Sequence, residues 1–322
     1  MRSMRFTTGE KKLLGIYILL GVVLLAAILS ISLYRNLTTR SQGKPSILEI
    51  EAIQNIGAIS LDDPGSPSGD SLALRRTGED QWQVRYPDGA WYDSRSQRVR
   101  DFLESLGQLE GKTLVTSSQD SYGAYDLDEA SARVITLRLD TDSPPVRVLY
   151  YGKYTPGGNG VFVRTDADPR VFTTGSEADF YINQDLAYWT ELRLWPQGIT
   201  AQDVYQVKIQ IPGQDDRILT HAAEGWEIST EQDPFGGSLE SYVSGLTTLE
   251  LSGLDTGDLG AQILGDAPML QITMTLQSGT RRTLEVYTLE DDTYYAIWKE
   301  GDQILLRGNL PSWRVTQLLP GE

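Results

Sequence analysis

The chain contains one histidine, His221, and no cysteine. Without cysteine there is no thiolate nucleophile, no disulfide and no Cys-based zinc or iron–sulfur site. A histidine base needs a nucleophile and an orienting acid beside it. No Gly-x-Ser-x-Gly elbow supplies the nucleophile; residues 65–69 read GSPSG, with Pro67 where the serine would stand. His221 therefore reads as a histidine in a surface turn. Glycoside hydrolysis would need two carboxylates about 5–10 Å apart. Asp126, Asp128 and Glu129 cluster beside Tyr122 and Tyr125, but acids are so frequent here that proximity in sequence says little. The acidic stretches DTDSPP (140–145) and DTGD (255–258) lack the spacing of a calcium loop. Gly157-Gly158-Asn159-Gly160 lies between strand-like runs and reads as a hairpin turn, not a phosphate loop. No catalytic residue, cofactor or metal site is expected, and the chain reads as non-enzymatic.

Contact chemistry is better represented. Trp91-Tyr92, Tyr150-Tyr151, Tyr154, Tyr188-Trp189 and Tyr294-Tyr295 place aromatics next to one another. On a strand such neighbours point to opposite faces, so some of them are expected to face outward. Exposed Tyr and Trp suit protein contact or sugar stacking. The candidate contact residues are Trp91, Tyr92, Tyr122, Tyr125, Tyr154, Tyr188, Trp189 and Trp195. The competing role for all of them is packing where two halves of the body meet.

Charge narrows the partners. The formal net charge is −16 over 322 residues. Residues 1–44 hold seven Lys and Arg against one acid, leaving a strongly acidic remainder. Such a body repels phosphate backbones and has no basic run to offset that, which excludes nucleic acid.

Leu13 to Tyr34 is a stretch of 22 residues without a charge, bracketed by Lys12 and Arg35. As a helix it would span about 33 Å, matching a hydrocarbon core of about 30 Å. A signal-peptide apolar region is shorter, at about 7–15 residues. The stretch is expected to be a single transmembrane helix (13–34) in the lipid bilayer of the cytoplasmic (inner) membrane. The short N-terminus (1–12) would lie inside and the acidic body on the extracytoplasmic, periplasmic side. Residues 35–46 read as a linker.

The body repeats itself. The first unit is expected over 47–183, a crossover over 184–202 and the second unit over 203–322. Trp82 and Trp226 each end a strand-rich opening. Val99, Phe102, Leu103, Leu106 and Leu109 recur at helical spacing, as do Leu239, Tyr242, Val243, Leu246 and Leu249. Ser94 with Gln97 suggests a capping box at the first helix. Four strands follow in each unit: RVITLRL, VRVLYYG, GVFVRT and RVFTT, then LQITMTL, RTLEVYT, TYYAIWK and QILLRG. The offset between matching positions drifts from 144 to 133 residues. The expected fold is α+β: the transmembrane helix, then two tandem units, each a mainly antiparallel sheet with one principal helix. The apolar crossover, with Tyr188, Trp189, Leu192, Leu194 and Trp195, is expected to pack between the units.

The segments WQVRYPDGAWYDSRSQRVRDFLESLGQL, YGAYDLDEA, LYYGKYTPGGNGVFVR and DPRVFTT, with the crossover into the second half, resemble the DUF4340 family of bacterial membrane-anchored proteins. The family pattern Tyr-Gly-Leu-Asp is interrupted here by Ala124-Tyr125-Asp126. Gly253-Leu254-Asp255 is a related motif in the second unit. The resemblance implies a setting beside an ABC-2-type transporter of the gliding-motility type, and a scaffold or accessory role toward its permease or auxiliary subunit. It implies no reaction. The competing expectations are a tethered module for an envelope glycan or peptide and an envelope hydrolase.

Overall fold

The computed structural model describes residues 46–48, 53–65, 71–195, 199–229, 238–257, 267–289 and 293–319. The expected membrane segment 13–34 and nearly all of the linker lie outside these residues. Among the described residues no helix is long and apolar enough to cross a membrane.

The first unit contains β1 (Ala58–Asp62), β2 (Leu72–Arg76), β3 (Trp82–Arg85), β4 (Trp91–Asp93), α1 (Ser96–Gly107), β5 (Thr113–Thr116), β6 (Arg133–Arg138), β7 (Pro145–Tyr154), β8 (Val161–Thr165) and β9 (Val171–Thr174). It closes on the short helices α2 (Asp179–Ile182) and α3 (Leu186–Trp189). The second unit contains β10 (Val204–Gln210), β11 (Arg217–Ala222), β12 (Gly225–Ile228), α4 (Leu239–Thr247), β13 (Gly253–Leu254), β14 (Leu270–Leu276), β15 (Arg281–Thr288), β16 (Tyr294–Glu300), β17 (Gln303–Leu310) and α5 (Ser312–Leu318).

Each unit is an antiparallel sheet. The first runs β4-β3-β2-β1-β6-β7-β8-β9-β5 and the second β12-β11-β10-β14-β15-β16-β17-β13. Apart from the extra edge strand β4, the two orders are the same. In each, the strand that follows the long helix (β5, β13) returns to the far edge and pairs with the last strand of its sheet. Trp82 and Trp226 fall on equivalent strands, β3 and β12.

Period-3.6 spacing explains the principal helices. Val99, Phe102, Leu103 and Leu106 form one stripe of α1, and all are buried against the first sheet. Val243 and Leu246 do the same on α4. The capping box expected from Ser94 and Gln97 does not form. The helix starts one residue later, after Arg95, because the Ser94 hydroxyl donates 2.8 Å to the Trp189 carbonyl instead. Gln97 turns outward and donates to Asp101.

The crossover is bonded to both units. Ser94 bridges Thr190, and Arg193 bridges Glu250, both antiparallel. On the first-unit side, the Arg95 amide donates to the Trp189 carbonyl and the Glu191 amide to the Asp93 carbonyl, at 2.9 and 2.8 Å. On the second-unit side, the Leu194 amide donates to Leu249 and the Leu251 amide to Leu192, both at 2.9 Å. Tyr86 and Thr190 share a buried hydroxyl pair at 2.8 Å. The Arg95 guanidinium spans the junction to Glu250 at 2.7 Å. Main-chain bonding to two bodies from one short segment fixes their relative pose better than a polar tether could.

The ion pair adds little to this. Glu250 is 42% exposed, so water screens the pair. A double-mutant cycle on Arg95→Ala and Glu250→Ala, read by urea unfolding, should return a coupling of about 0.2–1 kcal/mol. A coupling of several kcal/mol would mean that the pair, not the main-chain bonds, holds the junction.

Candidate functional site

The aromatic candidates separate once their surroundings are known. Trp91 and Tyr92 alternate on edge strand β4 as the period requires. Tyr92 turns inward, edge-on to Tyr86 at 5.2 Å. Trp91 turns outward beneath the Arg75 guanidinium, which lies 4.1 Å from its ring centre. Tyr151 faces the helix-covered core and Tyr150 the other side.

That other side is covered as well. A 3-10 turn at Gln119–Tyr125 lies over it, and Tyr122 and Tyr125 pack with Tyr150 around Leu127, Phe162 and Val171. The Arg164 guanidinium sits 3.3 Å from the Tyr150 ring centre and 4.3 Å from that of Tyr122, and its Nε donates to the Leu127 carbonyl. Tyr122 donates to the Pro169 carbonyl. Tyr122 and Tyr125 thus form a second layer on the sheet, and Asp126 takes a left-handed φ of 55° where the turn ends. The nearby Asp128 carboxylate caps its own loop by accepting from the Ala130 amide.

Two tryptophans proposed for contact are interior. Trp189 is fully buried in the first core and Trp195 in the second, where it meets Trp298 edge-on at 4.9 Å. Tyr188-Trp189 is not a strand pair: both lie on the single helical turn α3, where adjacent residues point about 100° apart, not to opposite faces. Trp189 therefore goes in while Tyr188 stays half-buried at the surface.

One group of surface aromatics lies on the helix side of the first unit; Tyr205 and Trp313 are exposed on the second. Phe180 of α2 is 59% exposed. It stands edge-on to Tyr181 at 5.2 Å and to Tyr188 at 5.6 Å. Arg98 of α1 covers the Tyr188 ring at 4.1 Å and bonds the Tyr188 carbonyl. Phe102 and Trp189 support the group from below. Tyr154, 48% exposed, is the last residue of β7 and interacts with Asp179 of α2. Burial raises the Tyr181 hydroxyl pKa, and the Asp101 and Glu104 carboxylates of α1 raise it further. This is an aromatic platform with negative charge along one side.

Phe180 was not among the residues singled out from the sequence. The signal existed in EADFYI: Ala178 and Ile182 are buried at a spacing of four, which turns Phe180 away from the core. The second unit repeats the device. Trp313 stands two residues before the buried Val315, as Phe180 stands two before Ile182, and it is 55% exposed.

A separate open cleft of about 600 Å³ lies between the units. Leu61, Leu72, Ile182, Leu186 and Leu254 line it, with Asp63 and Asp185. Its one aromatic is Tyr86, whose hydroxyl is already paired with Thr190. His221 stacks on its cross-strand partner Trp226 at 5.0 Å. Among the described residues no group of three or more His, Cys, Asp or Glu is placed to hold a metal ion. At the hairpin expected from the glycine run, Gly157 and Gly158 both take positive φ.

The platform's support is pH-sensitive. Burial, and then the 2.6 Å bond that Tyr151 donates to Asp179 of α2, push the Tyr151 hydroxyl well above its ordinary 10.0. A raised native value favours the neutral hydroxyl in the folded chain. Its contribution is complete below about pH 10 and falls above that, as the unfolded tyrosine ionises and the native one does not. Tyr151→Phe should therefore lower stability near neutrality and flatten the loss between about pH 9 and pH 11. Urea midpoints across that range check this; an unchanged slope would contradict it.

A family model described as a domain of unknown function, DUF4340, matches residues 82–262, more than half of the chain. The match runs from the tryptophan strand β3 through the crossover and α4. No curated protein matches the chain.

Proposed function

The chain belongs to the DUF4340 family, and on that footing we propose that it is a non-enzymatic, membrane-anchored accessory subunit that works by protein contact. The uncharged stretch Leu13–Tyr34 holds it in the cytoplasmic membrane, and the body stands on the extracytoplasmic side. Its partner is an ABC-2-type transporter of the gliding-motility kind, at the permease or an auxiliary subunit. The observation that carries this reading is the exposed aromatic platform, Phe180 with Tyr181 and Tyr188, on a body whose units are joined by main-chain bonds. Aromatics held on a rigid scaffold give contact area at little entropic cost.

Affinity purification of the tagged full-length protein from its native membrane in mild detergent tests it, with mass spectrometry of the companions. Stoichiometric ATPase and permease are the expected result. Recovery of the protein alone, with no membrane complex, would overturn it.

The inter-unit cleft supports a second reading, binding of a small envelope ligand, since such sites favour clefts between domains. Its lining favours an apolar peptide over a glycan, because its one ring, Tyr86, is buried and packed against Tyr92. A peptide and glycan binding screen on the full-length protein separates the two.

A further inference from the structure

We infer that the platform formed by Phe180, Tyr181 and Tyr188, together with Asp101 and Glu104, is a docking site for a cationic segment of a partner protein, one that presents Arg or Lys side chains. This deepens the accessory reading above and rests on it for the partner's place in the cell. The rings come from α2 and α3 and the carboxylates from α1, which packs on both through Phe102, 5.6 Å from the Tyr181 ring and 5.5 Å from that of Trp189, close enough for Asp101 and Glu104 to act on the Tyr181 hydroxyl.

The carboxylates have no cation of their own. Asp101 accepts only from the Gln97 amide at 2.6 Å, and Glu104 from the Gln108 amide at 3.1 Å. Among the described residues neither forms an ion pair, whereas the neighbouring Arg100 is committed to Asp80. The rings already show what they accept, since Arg98 lies over Tyr188. Phe180 is the most exposed of the large apolar side chains among the described residues, and no cation covers it. An aromatic face with carboxylates at its edge attracts a guanidinium or ammonium through the ring quadrupole and through charge together.

The net charge argues against the other occupants. A second copy of a body this acidic would meet its own sign, and an anionic lipid surface would do the same. A basic partner meets complementary charge along one face, which steers and orients the encounter.

Two experiments on the full-length protein in detergent test this. The first titrates it with a hexa-arginine peptide at low salt. Asp101→Asn with Glu104→Gln should weaken binding about fivefold, and Phe180→Ala about threefold. Glu224→Gln with Glu227→Gln, which removes two exposed carboxylates from the second unit, should change it little. Equal weakening by both carboxylate pairs would mean diffuse attraction to an acidic body and would overturn the site. The second places a photoreactive phenylalanine analogue at residue 180 in cells. The expected product joins this chain to an Arg- or Lys-bearing peptide of another protein, and Asp101→Asn with Glu104→Gln abolishes it.

Cross-linking to a second copy, to a lipid, or to this chain's own basic stretch (Arg35, Arg40, Lys44) would overturn the inference. So would the absence of any cross-link. If the transporter still co-purifies with the triple variant at 101, 104 and 180, the docking site fails and the accessory role stands. If nothing co-purifies with the wild type but the peptide still distinguishes the variants, the accessory role fails and the cation site stands.

Discussion

Trp189→Ala should destabilise the protein by about 3–5 kcal/mol, the range for removing a large aromatic from a packed core. The ring is fully buried, within 5.5 Å of Phe102 and 5.1 Å of Tyr188 between ring centres. Its backbone carbonyl accepts from both the Arg95 amide and the Ser94 hydroxyl. The substitution therefore empties a cavity beneath the platform and loosens the segment that joins the units. Trp91→Ala is the control: that ring lies on an edge strand, half-buried under Arg75, and its loss should cost about 1 kcal/mol or less. Urea unfolding of both, at unchanged m, measures the difference. Equal costs would show that the crossover is not packed as described. Trp189→Phe should recover much of the loss, because the indole nitrogen has no partner to lose.

Gly152→Val should also destabilise the protein, by the opposite mechanism. A Cβ at Gly152 would lie 2.2 Å from the Tyr125 carbonyl oxygen and 3.1 Å from the Leu127 Cγ. No rotamer relieves a clash with backbone, so the 3-10 turn at Gln119–Tyr125 must lift from the sheet. Overpacking of this kind costs about 1–3 kcal/mol or more. Lifting also pulls Tyr122 away from Arg164, so limited proteolysis should cut within 117–131 in the variant and spare that stretch in the wild type. Gly157→Ala tests the alternative that any glycine in this region is sensitive. A Cβ there meets nothing within 4 Å, and its φ of 98° leaves only the strain of positive φ. If Gly152→Val leaves the 117–131 stretch protected, the turn is not held by close approach to β7.

The Tyr-Gly and Leu-Asp segments lie on the second face of the first sheet. Tyr122 packs against Leu127, Phe162 and Val171 there. The three residues between them, Ala124-Tyr125-Asp126, are absorbed by the turn and by the left-handed Asp126.

Much of the architecture was legible in the residues alone. Alternation of period 2 along RVITLRL and LQITMTL, and stripes of period 3.6 along α1 and α4, are local consequences of backbone geometry. Here the buried faces follow those patterns along α1, α4 and β14, while Leu139, at the end of the first alternation, is exposed. The match between the halves follows, since equal patterns in equal order build equal sheets. The charge asymmetry and the uncharged stretch at 13–34 are likewise properties of composition.

Tertiary structure decided which aromatics remain outside. Periodicity assigns a residue to one of two faces but does not say what covers the second one. Tyr150 lies on the face away from α1, yet Arg164 and the 3-10 turn close over it. Trp195 belongs to the crossover by sequence, yet it fills the second core because Trp298 meets it from a strand about a hundred positions later. Phe180 stays exposed because the core beneath α2 is already filled by Ala178, Ile182 and Trp189. Burial of this kind depends on contacts distant in sequence, and no local pattern encodes them.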